Sequence, residues 1–221
     1  MNVLINSTGR EIKALIFDVC GVLFLPKDKA QDKSPLNSFR EACRLLGDCG
    51  IDVSGSWDRM LEIYQKSSIG ELTRDDTIAS MAHISGVPGS KIEQAFHDIY
   101  RENSYENTEL YARVLSLRAL GYKIAILSKL FYLSKDIFIP DKYYLDLDTV
   151  GVSCDDKVKK PDEGAYTLIL ERLGVSPNEC VFIDDKQENV DAAIKIGMAG
   201  IVFIDNGSFD HELENLGILR N

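Results

Sequence analysis

The chain has 221 residues, of which 45% are hydrophobic and 27% are charged, a composition typical of a folded globular protein with one or two domains. Its 25 Lys and Arg against 35 Asp and Glu give a formal net charge of −10. Because there is also no basic run or basic–aromatic cluster, no nucleic-acid partner is expected. No apolar stretch approaches the ~20 residues needed to cross a bilayer, so no membrane role is expected either.

Cysteine usage predicts the cellular compartment. The five cysteines are odd in number and include no Cys-x-x-Cys pair, and the N-terminus lacks a secretory signal pattern. We therefore expect reduced thiols in a cytoplasmic protein. The cysteines are Cys20, Cys43, Cys49, Cys154 and Cys180.

The first predicted element is a buried strand in the apolar run at residues 14–24. The run is too short for a comfortable helix and is typical of a parallel strand. Open α/β sheets bind their ligands beyond the carboxyl ends of strands, so Asp18 is the candidate reactive group. The alternative is that Asp18 only begins a turn in which Gly21 supplies a positive φ.

A helical block follows, from the polar segment between Pro26 and Pro35 to about residue 106. Apolar residues at helical spacing predict four helices, in the regions of residues 36–46, 57–64, 73–82 and 92–99. Thr73 and Asp76 have the spacing of a capping box at the third helix. The block therefore predicts a small helical bundle without a strand of its own.

The periodicity changes after the helical block. Strands are predicted at residues 123–127, 150–152, 180–183 and 200–204, and helices at 110–120, 165–173 and 190–196, with a terminal helix within 206–221. Strands that alternate with helices imply right-handed crossovers and a parallel sheet. The predicted fold class is therefore α/β, with a helical block inserted after the first strand.

Polar side chains stand at the ends of three predicted strands: Asp18, Ser128 and the pair Asp184-Asp185. Lys160 lies in the loop between the second and third of these. If the strand ends are neighbours, three carboxylates, a hydroxyl and an ammonium share one crevice. The carboxylates cannot all stay ionised without a cation, because like charges raise one another's pKa. Oxygen ligands of this kind suit Mg²⁺ together with a substrate phosphate.

Four motifs occur in order at these positions: Asp18-Val19-Cys20-Gly21-Val22, Leu127-Ser128, Lys160-Pro161, and Phe182-Ile183-Asp184-Asp185 with Asn189. Together they resemble the motifs of the haloacid dehalogenase-like hydrolase superfamily. The resemblance covers nearly the whole chain, since the helical block falls where the family inserts its C1 cap. It implies a Rossmann-like core at residues 1–27 and 107–221, a cap at residues 28–106, and a phosphatase acting on a small phosphorylated molecule.

The resemblance also implies a role for each motif residue. Asp18 matches the nucleophile that attacks phosphorus and forms an aspartyl-phosphate. Ser128 matches the hydroxyl that binds the phosphate, and Lys160 matches the cation that orients Asp18 and stabilises charge on the transferring group. Asp18, Asp184 and Asp185 match the acidic residues that hold Mg²⁺, and the second acid of the pair is the more usual direct ligand.

Cys20 departs from the family pattern. Family phosphatases usually carry a second Asp here, which protonates the leaving alkoxide and then activates water, and such help is worth ~10²- to 10⁴-fold. A thiol is a weak hydrogen-bond donor, so impaired activity is expected. The backbone carbonyl of Cys20 is still expected to bind Mg²⁺, because it does not depend on the side chain. Alternatively, Cys20 is only a small buried filler.

Other interpretations stay open. One is a pseudo-enzyme, weak or inactive, that keeps the pocket for binding a phosphometabolite. Another is a 2-haloacid dehalogenase, since halide leaves without a proton, although the pair Asp184-Asp185 favours a cation. Lys129 is expected either to bind an acidic substrate or to be solvated, and Lys159 is expected to face solvent. The sequence does not predict the substrate or the oligomeric state.

Overall fold

The computed structural model of the protein describes residues 11–27 and 38–219. Within these ranges the strands are β1 (Ala14–Phe17), β2 (Phe24–Pro26), β3 (Ser104–Glu106), β4 (Lys123–Ser128), β5 (Thr149–Val152), β6 (Cys180–Asp184) and β7 (Ala199–Val202). The helices are α1 (Phe39–Asp48), α2 (Trp57–Ser68), α3 (Arg74–Ser85), α4 (Gly89–Asn103), α5 (Thr108–Ala119), α6 (Tyr132–Phe138), α7 (Asp141–Asp146), α8 (Ser153–Asp156), α9 (Glu163–Leu173), α10 (Gln187–Lys195) and α11 (Asn206–Asn215).

A five-stranded parallel sheet forms the centre of the molecule, in the order β5-β4-β1-β6-β7. Strand β1 lies in the middle, and its last residue, Phe17, pairs with Ile126 of β4 and Ile183 of β6. All four residues of β1 are buried, as expected for a strand covered on both faces. The predicted α/β class is confirmed, and the carboxyl ends of β1, β4 and β6 meet at one edge.

The core consists of two apolar clusters, one on each face of the sheet. Alternate residues of β1 belong to different clusters, with Leu15 and Phe17 in the larger one and Ala14 and Ile16 in the smaller, as the two-residue period of a strand requires. Helices α1 to α4 pack into the larger cluster, which explains why the predicted helical block is amphipathic.

A small two-stranded antiparallel ribbon, β2 with β3, contradicts the expectation that the helical block has no strand of its own. Phe24 pairs with Glu106, and Pro26 with Ser104. The amide of Lys27 extends the ribbon by donating to the carbonyl of Asn103 at 3.0 Å. Strands of three residues are too short to show a two-residue period in the sequence, which is why the pattern did not indicate them.

All four predicted helices of the block are present as α1 to α4, although Leu36 lies outside the described residues. Thr73 precedes α3, and its Oγ1 accepts a hydrogen bond from the amide of Asp76 at 3.1 Å. The Thr73 hydroxyl also donates to the Asp76 carboxylate at 2.7 Å. The predicted cap is therefore confirmed, but the shorter Asp bonds the threonine hydroxyl instead of a backbone amide.

Helices α6, α7 and α8 were not predicted, because elements of four to seven residues show little periodicity. The last strand, β7, ends at Val202, two residues before the predicted end. Asp205 lies beyond it and caps α11, where its carboxylate accepts from the amide of Ser208 at 2.7 Å. The boundaries of the predicted core and cap domains stay predictions.

All five cysteines carry free thiols, in agreement with the expected reduced state, and the cytoplasmic location remains a prediction. Among the helices within the described ranges, none combines the length and apolar character needed to span a bilayer.

Candidate active site

The predicted site residues from β1, β4 and the loop before α9 converge on one atom, Asp18 Oδ1. This oxygen accepts hydrogen bonds from the hydroxyl of Ser128 at 2.8 Å and from the amide of Val19 at 2.6 Å. The ammonium of Lys160 lies 2.9 Å from it. Asp18, Ser128 and Lys160 are all buried, so these charge-assisted bonds are largely shielded from water.

Lys160 is fixed between two carboxylates, because its Nζ also donates to Asp184 Oδ2 at 2.6 Å. Both Asp184 oxygens are within 3.0 Å of the side-chain amide nitrogen of Asn189. The backbone amide of Lys186, just before α10, donates to Asp184 Oδ1 at 2.9 Å. Asp184 is thus saturated with donors, and its main structural effect is to hold Lys160 against Asp18.

The three predicted acidic residues form one cluster, in which oxygens of Asp18, Asp184 and Asp185 lie within 4.8 Å of one another. Asp185 Oδ1 is buried, and no described residue donates a hydrogen bond to it. Such an unsatisfied buried oxygen is costly unless a cation or water completes it. The carboxylate cluster therefore fits a hard divalent cation such as Mg²⁺.

Gly21 brings the turn after β1 close to this cluster. Its φ is +87°, and a Cβ at this position would overlap the carboxylate of Asp185. The amide of Gly21 donates to the carbonyl of Phe24 at 2.8 Å. The positive φ that the sequence suggested for Gly21 is therefore confirmed, and it lets the chain pass directly beside the acidic cluster.

Burial and like charges perturb the carboxyl groups of the cluster. Burial raises the pKa of Asp18, against the pull of Lys160. Burial also raises the pKa of Asp185, which reaches about 7 with the help of the Asp18 charge. For Asp184, burial is outweighed by Lys160 and its other donors, and its pKa is lowered. The pKa of Lys160 is raised, because Asp18 and Asp184 outweigh the effect of its burial.

The Cys20 side chain lines the same pocket and is half-buried. Burial raises the pKa of its thiol, and the Asp18 carboxylate raises it further. Near neutral pH Cys20 is therefore an undissociated thiol, which is neither a base nor a strong proton donor.

A pocket of about 300 Å³ opens above Asp18. Its charged lining includes Lys129, Lys159, Lys160 and Lys186, with Glu188. Lys159 was expected to face solvent, but it is half-buried and lines this pocket. Lys186 was not among the predicted site residues, although its place directly after the acidic pair was a usable signal. Aromatic rings from the helical block and from the core also line the pocket: Phe39, Tyr64, Tyr100, Phe131 and Phe138.

Comparison with known proteins agrees with this arrangement. A family model described as haloacid dehalogenase-like hydrolase matches residues 12–197. The chain is 29% identical to the sesquiterpene phosphatase astK of Aspergillus oryzae over 214 residues, which cover 92% of this chain and 96% of that protein. It is 44% identical over 82 residues to flavin mononucleotide hydrolase 1 of Arabidopsis thaliana, which is 36% of this chain and 34% of that protein.

Coverage differs strongly among these relatives. The chain is 28% identical over 209 residues to the mouse acyl-CoA dehydrogenase family member 10, but it spans only 18% of that protein's length. Among solved structures, a HAD family enzyme of Bacteroides thetaiotaomicron in a magnesium complex matches with a TM-score of 0.71. At 19% identity it covers 91% of this chain and 98% of its own, and this likeness supports the fold.

Proposed function

The chain belongs to the haloacid dehalogenase-like hydrolase family, and from this premise we propose a Mg²⁺-dependent phosphatase that acts on a small phosphorylated molecule through Asp18. The observation that carries the proposal is the asymmetry of the Asp18 carboxylate. Its donors within the described chain, Val19, Ser128 and Lys160, all contact Oδ1. Oδ2 is thus the atom available to attack phosphorus, and the relatives named as a phosphatase and a flavin mononucleotide hydrolase support this chemistry.

The described residues have distinct parts in the proposed first step. Lys160, which has a third N–H besides its contacts to Asp18 and Asp184, binds an oxygen of the phosphoryl group, and the Ser128 hydroxyl turns to this group from Asp18 Oδ1. Lys129 at the pocket wall is a further cation. Asp18 Oδ2 forms a bond to phosphorus while the bond from phosphorus to the leaving oxygen breaks. Lys160 offsets the negative charge of the transferring group and keeps Asp18 oriented.

We propose that Asp18, Asp185 and the backbone carbonyl of Cys20 hold Mg²⁺, with Asp184 completing the acidic cluster. The open Oδ1 of Asp185 supports this assignment. When bound, the ion supplies positive charge that favours ionised carboxylates and stabilises charge on the phosphoryl oxygens. We also assign α1 to α4 to a cap over the site, because Phe39, Tyr64 and Tyr100 from these helices line the pocket.

The second step, attack of water on the aspartyl-phosphate, lacks the usual base. The side chain at the position of that base is the Cys20 thiol, whose pKa is raised by burial, so that it stays protonated. Hydrolysis of the intermediate is therefore slow, and phosphorylated Asp18 accumulates during turnover.

Phosphate release tests the proposal. Wild type is assayed with phenyl phosphate with Mg²⁺ or with EDTA, next to Asp18→Asn and to Asp58→Asn, an exposed acidic control on α2. We expect release only with Mg²⁺, loss of activity in Asp18→Asn, and no change in Asp58→Asn. Intact mass after substrate addition should show one added phosphoryl group in wild type but not in Asp18→Asn. Unchanged activity of Asp18→Asn contradicts the proposal.

The thiol of Cys20 also favours a second candidate, a pseudo-enzyme that binds phosphometabolites without hydrolysing them. Saturable, Mg²⁺-dependent binding of inorganic phosphate with no release from phenyl phosphate supports this candidate instead. The unsatisfied Asp185 oxygen weighs against metal-free dehalogenation, for which halide release in EDTA is the matching assay.

A further inference from the structure

We propose that the natural leaving group carries a phosphate of its own, so that the substrate is a small organic diphosphate that loses its terminal phosphoryl group. This inference rests on the proposed function and narrows it to a substrate class. It is based on two independent features of the pocket as the described residues form it: an excess of lysines without a carboxylate partner, and a thiol beside Asp18 where a carboxyl group could protonate an alkoxide.

Three lysines line the pocket in addition to Lys160: Lys129, Lys159 and Lys186. Within the described ranges, none of their ammonium groups lies within 4.0 Å of a carboxylate, whereas Lys160 contacts both Asp18 and Asp184. The one further carboxylate in the lining is Glu188. In a chain of net charge −10, such a local excess of positive charge indicates an anionic ligand beyond one phosphoryl group.

Lys159 and Lys186 are both close enough to Lys129 to repel its charge, which Glu188 and Asp162 offset in part. Desolvation lowers the pKa of Lys129, and the charges of Lys159 and Lys186 lower it further. Lys129 is exposed as a residue, and its Nζ lies 6.0 Å from the centre of the Tyr64 ring, over its face. A second anion bound between these ammonium groups would relieve their repulsion.

The second anion is better explained as a phosphate than as a carboxylate, because a phosphate attached to the transferring group can leave without being protonated. An alkyl phosphate leaves as an alkoxide, which requires a proton. Among the described residues that line the pocket, the carboxyl groups are Asp18 itself and the exposed Glu188, and the side chain beside Asp18 is the Cys20 thiol, a weak hydrogen-bond donor. A phosphate monoester has its second pKa near ~6 and leaves without a proton at neutral pH.

The reaction balances with water as the only co-reactant. Asp18 Oδ2 bonds to the terminal phosphorus, and the bond from that phosphorus to the bridging oxygen breaks. The electron pair stays on this oxygen, which becomes a free oxygen of the organic monophosphate. Water then attacks the aspartyl-phosphate, which releases inorganic phosphate and the Asp18 carboxylate, and the proton of the water passes to phosphate and solvent.

The test uses the full chain with Mg²⁺ and four probes: ethyl diphosphate, ethyl phosphate, phenyl phosphate and phosphoglycolate. Products are followed by phosphorus NMR. We expect kcat/KM for ethyl diphosphate to exceed that for phenyl phosphate by about tenfold or more, the worth of one charge-assisted contact. Ethyl phosphate and inorganic phosphate should appear in equal amounts, and ethyl phosphate should not be hydrolysed further.

The double variant Lys129→Gln/Lys186→Gln distinguishes binding of the second phosphate by these lysines from a preference for any good leaving group. We expect it to lower kcat/KM for ethyl diphosphate about tenfold more than for phenyl phosphate. The control is Lys195→Gln, an exposed lysine at the end of α10, which should change neither value. An equal fall for both probes, or a preference of wild type for phosphoglycolate or phenyl phosphate, overturns this inference alone. No phosphate release from any of the four probes overturns the proposed function as well.

Discussion

In the proposed function, the thiol at position 20 stands where a carboxyl group would provide acid–base catalysis of ester hydrolysis. Cys20→Asp should supply it, because the side chain lines the pocket beside Asp18. We expect kcat/KM for ethyl phosphate to rise about 10²-fold or more, whereas phenyl phosphate, which has a better leaving group, gains much less. Steady-state phosphate release on both substrates measures the difference.

Cys20→Ala is the matched control, since it removes the thiol without adding an acid and should leave both rates near those of wild type. Accumulated phosphorylated Asp18 should also decline in Cys20→Asp but not in Cys20→Ala. An alkyl phosphate rate in Cys20→Asp that equals that of Cys20→Ala would falsify the idea that an acid is missing here.

Gly21 and Gly121 allow a second comparison at single residues. Both have a positive φ, +87° and +98°, so an alanine costs backbone strain of about 1 kcal/mol at either position. Only at Gly21 would the new Cβ overlap Asp185, since nothing lies within 4 Å at Gly121. We expect Gly21→Ala to weaken Mg²⁺ binding, measured by calorimetry, while Gly121→Ala only lowers the free energy of unfolding. Equal Mg²⁺ affinity in the two variants would count against Asp185 as a ligand.

Secondary-structure elements differed in how well the sequence predicted them. Strands β1, β4 and β6 are continuous apolar runs, each bounded by a polar residue, and this is why their ends and the side chains beyond them were predictable. The short strands β2 and β3 and the helices α6 to α8 show no clear period, because they span only about one or two repeats of the pattern. Their places depend on long-range pairing, which one sequence does not display.

Contact between α2 and α8 connects the helical block with the loop that carries Lys160. Gly70 follows α2 with a φ of +65°, and a Cβ there would overlap the backbone carbonyl of Cys154 in α8. Gly86 follows α3 with a φ of +69° but has nothing within 4 Å. We expect Gly70→Ala to lower the free energy of unfolding by about 1–3 kcal/mol more than Gly86→Ala, because a backbone atom must move.

Denaturant unfolding of both variants measures this difference, and phosphate release shows whether the displacement reaches Lys160. The strain of a positive φ is common to both variants, so it cancels in the comparison. If the two variants unfold at the same denaturant concentration, the backbone at Gly70 does not lie as close to the Cys154 carbonyl as the structure describes.

For the molecule as a whole, the predictable and unpredictable parts of the site have different origins. Asp18, Ser128 and the pair Asp184-Asp185 could be placed together because a parallel sheet brings its strand ends to one edge. Of the lysines that line the pocket, Lys129 and Lys160 were predicted as substrate-binding residues, whereas Lys159 and Lys186 were not. The net charge of −10 gave no sign of a local cluster of lysines. Local charge of this kind depends on the folded arrangement and not on composition.

Stabilisation of the whole fold by Mg²⁺ should depend on pH in a defined direction. Burial, with the charge of Asp18, raises the pKa of Asp185 to about 7 in the metal-free fold. Below pH 7 this carboxyl carries a proton that a metal ion must displace, so the apparent affinity falls roughly tenfold for each pH unit. A ligand that binds only the folded state raises the free energy of unfolding by RT ln(1 + L/Kd), where L is the free ligand concentration, so tighter binding gives a larger increase. The increase in Tm on adding Mg²⁺ should therefore be larger at pH 8 than at pH 6.

Thermal unfolding with and without Mg²⁺ at both pH values measures this effect, with Ca²⁺-free buffers and constant ionic strength. Asp185→Asn provides the control, because its amide cannot be protonated in this range and is a weaker ligand for a hard cation. It should show a smaller increase in Tm and a weaker dependence on pH. Without Mg²⁺, Asp185 affects the stability of the wild type in the opposite direction. The pKa of Asp185 is raised in the folded state, so the stability that this residue contributes is present at low pH and is lost as the pH rises toward 7. Equal Mg²⁺-induced increases at pH 6 and pH 8 in wild type would show that Asp185 does not bind the metal.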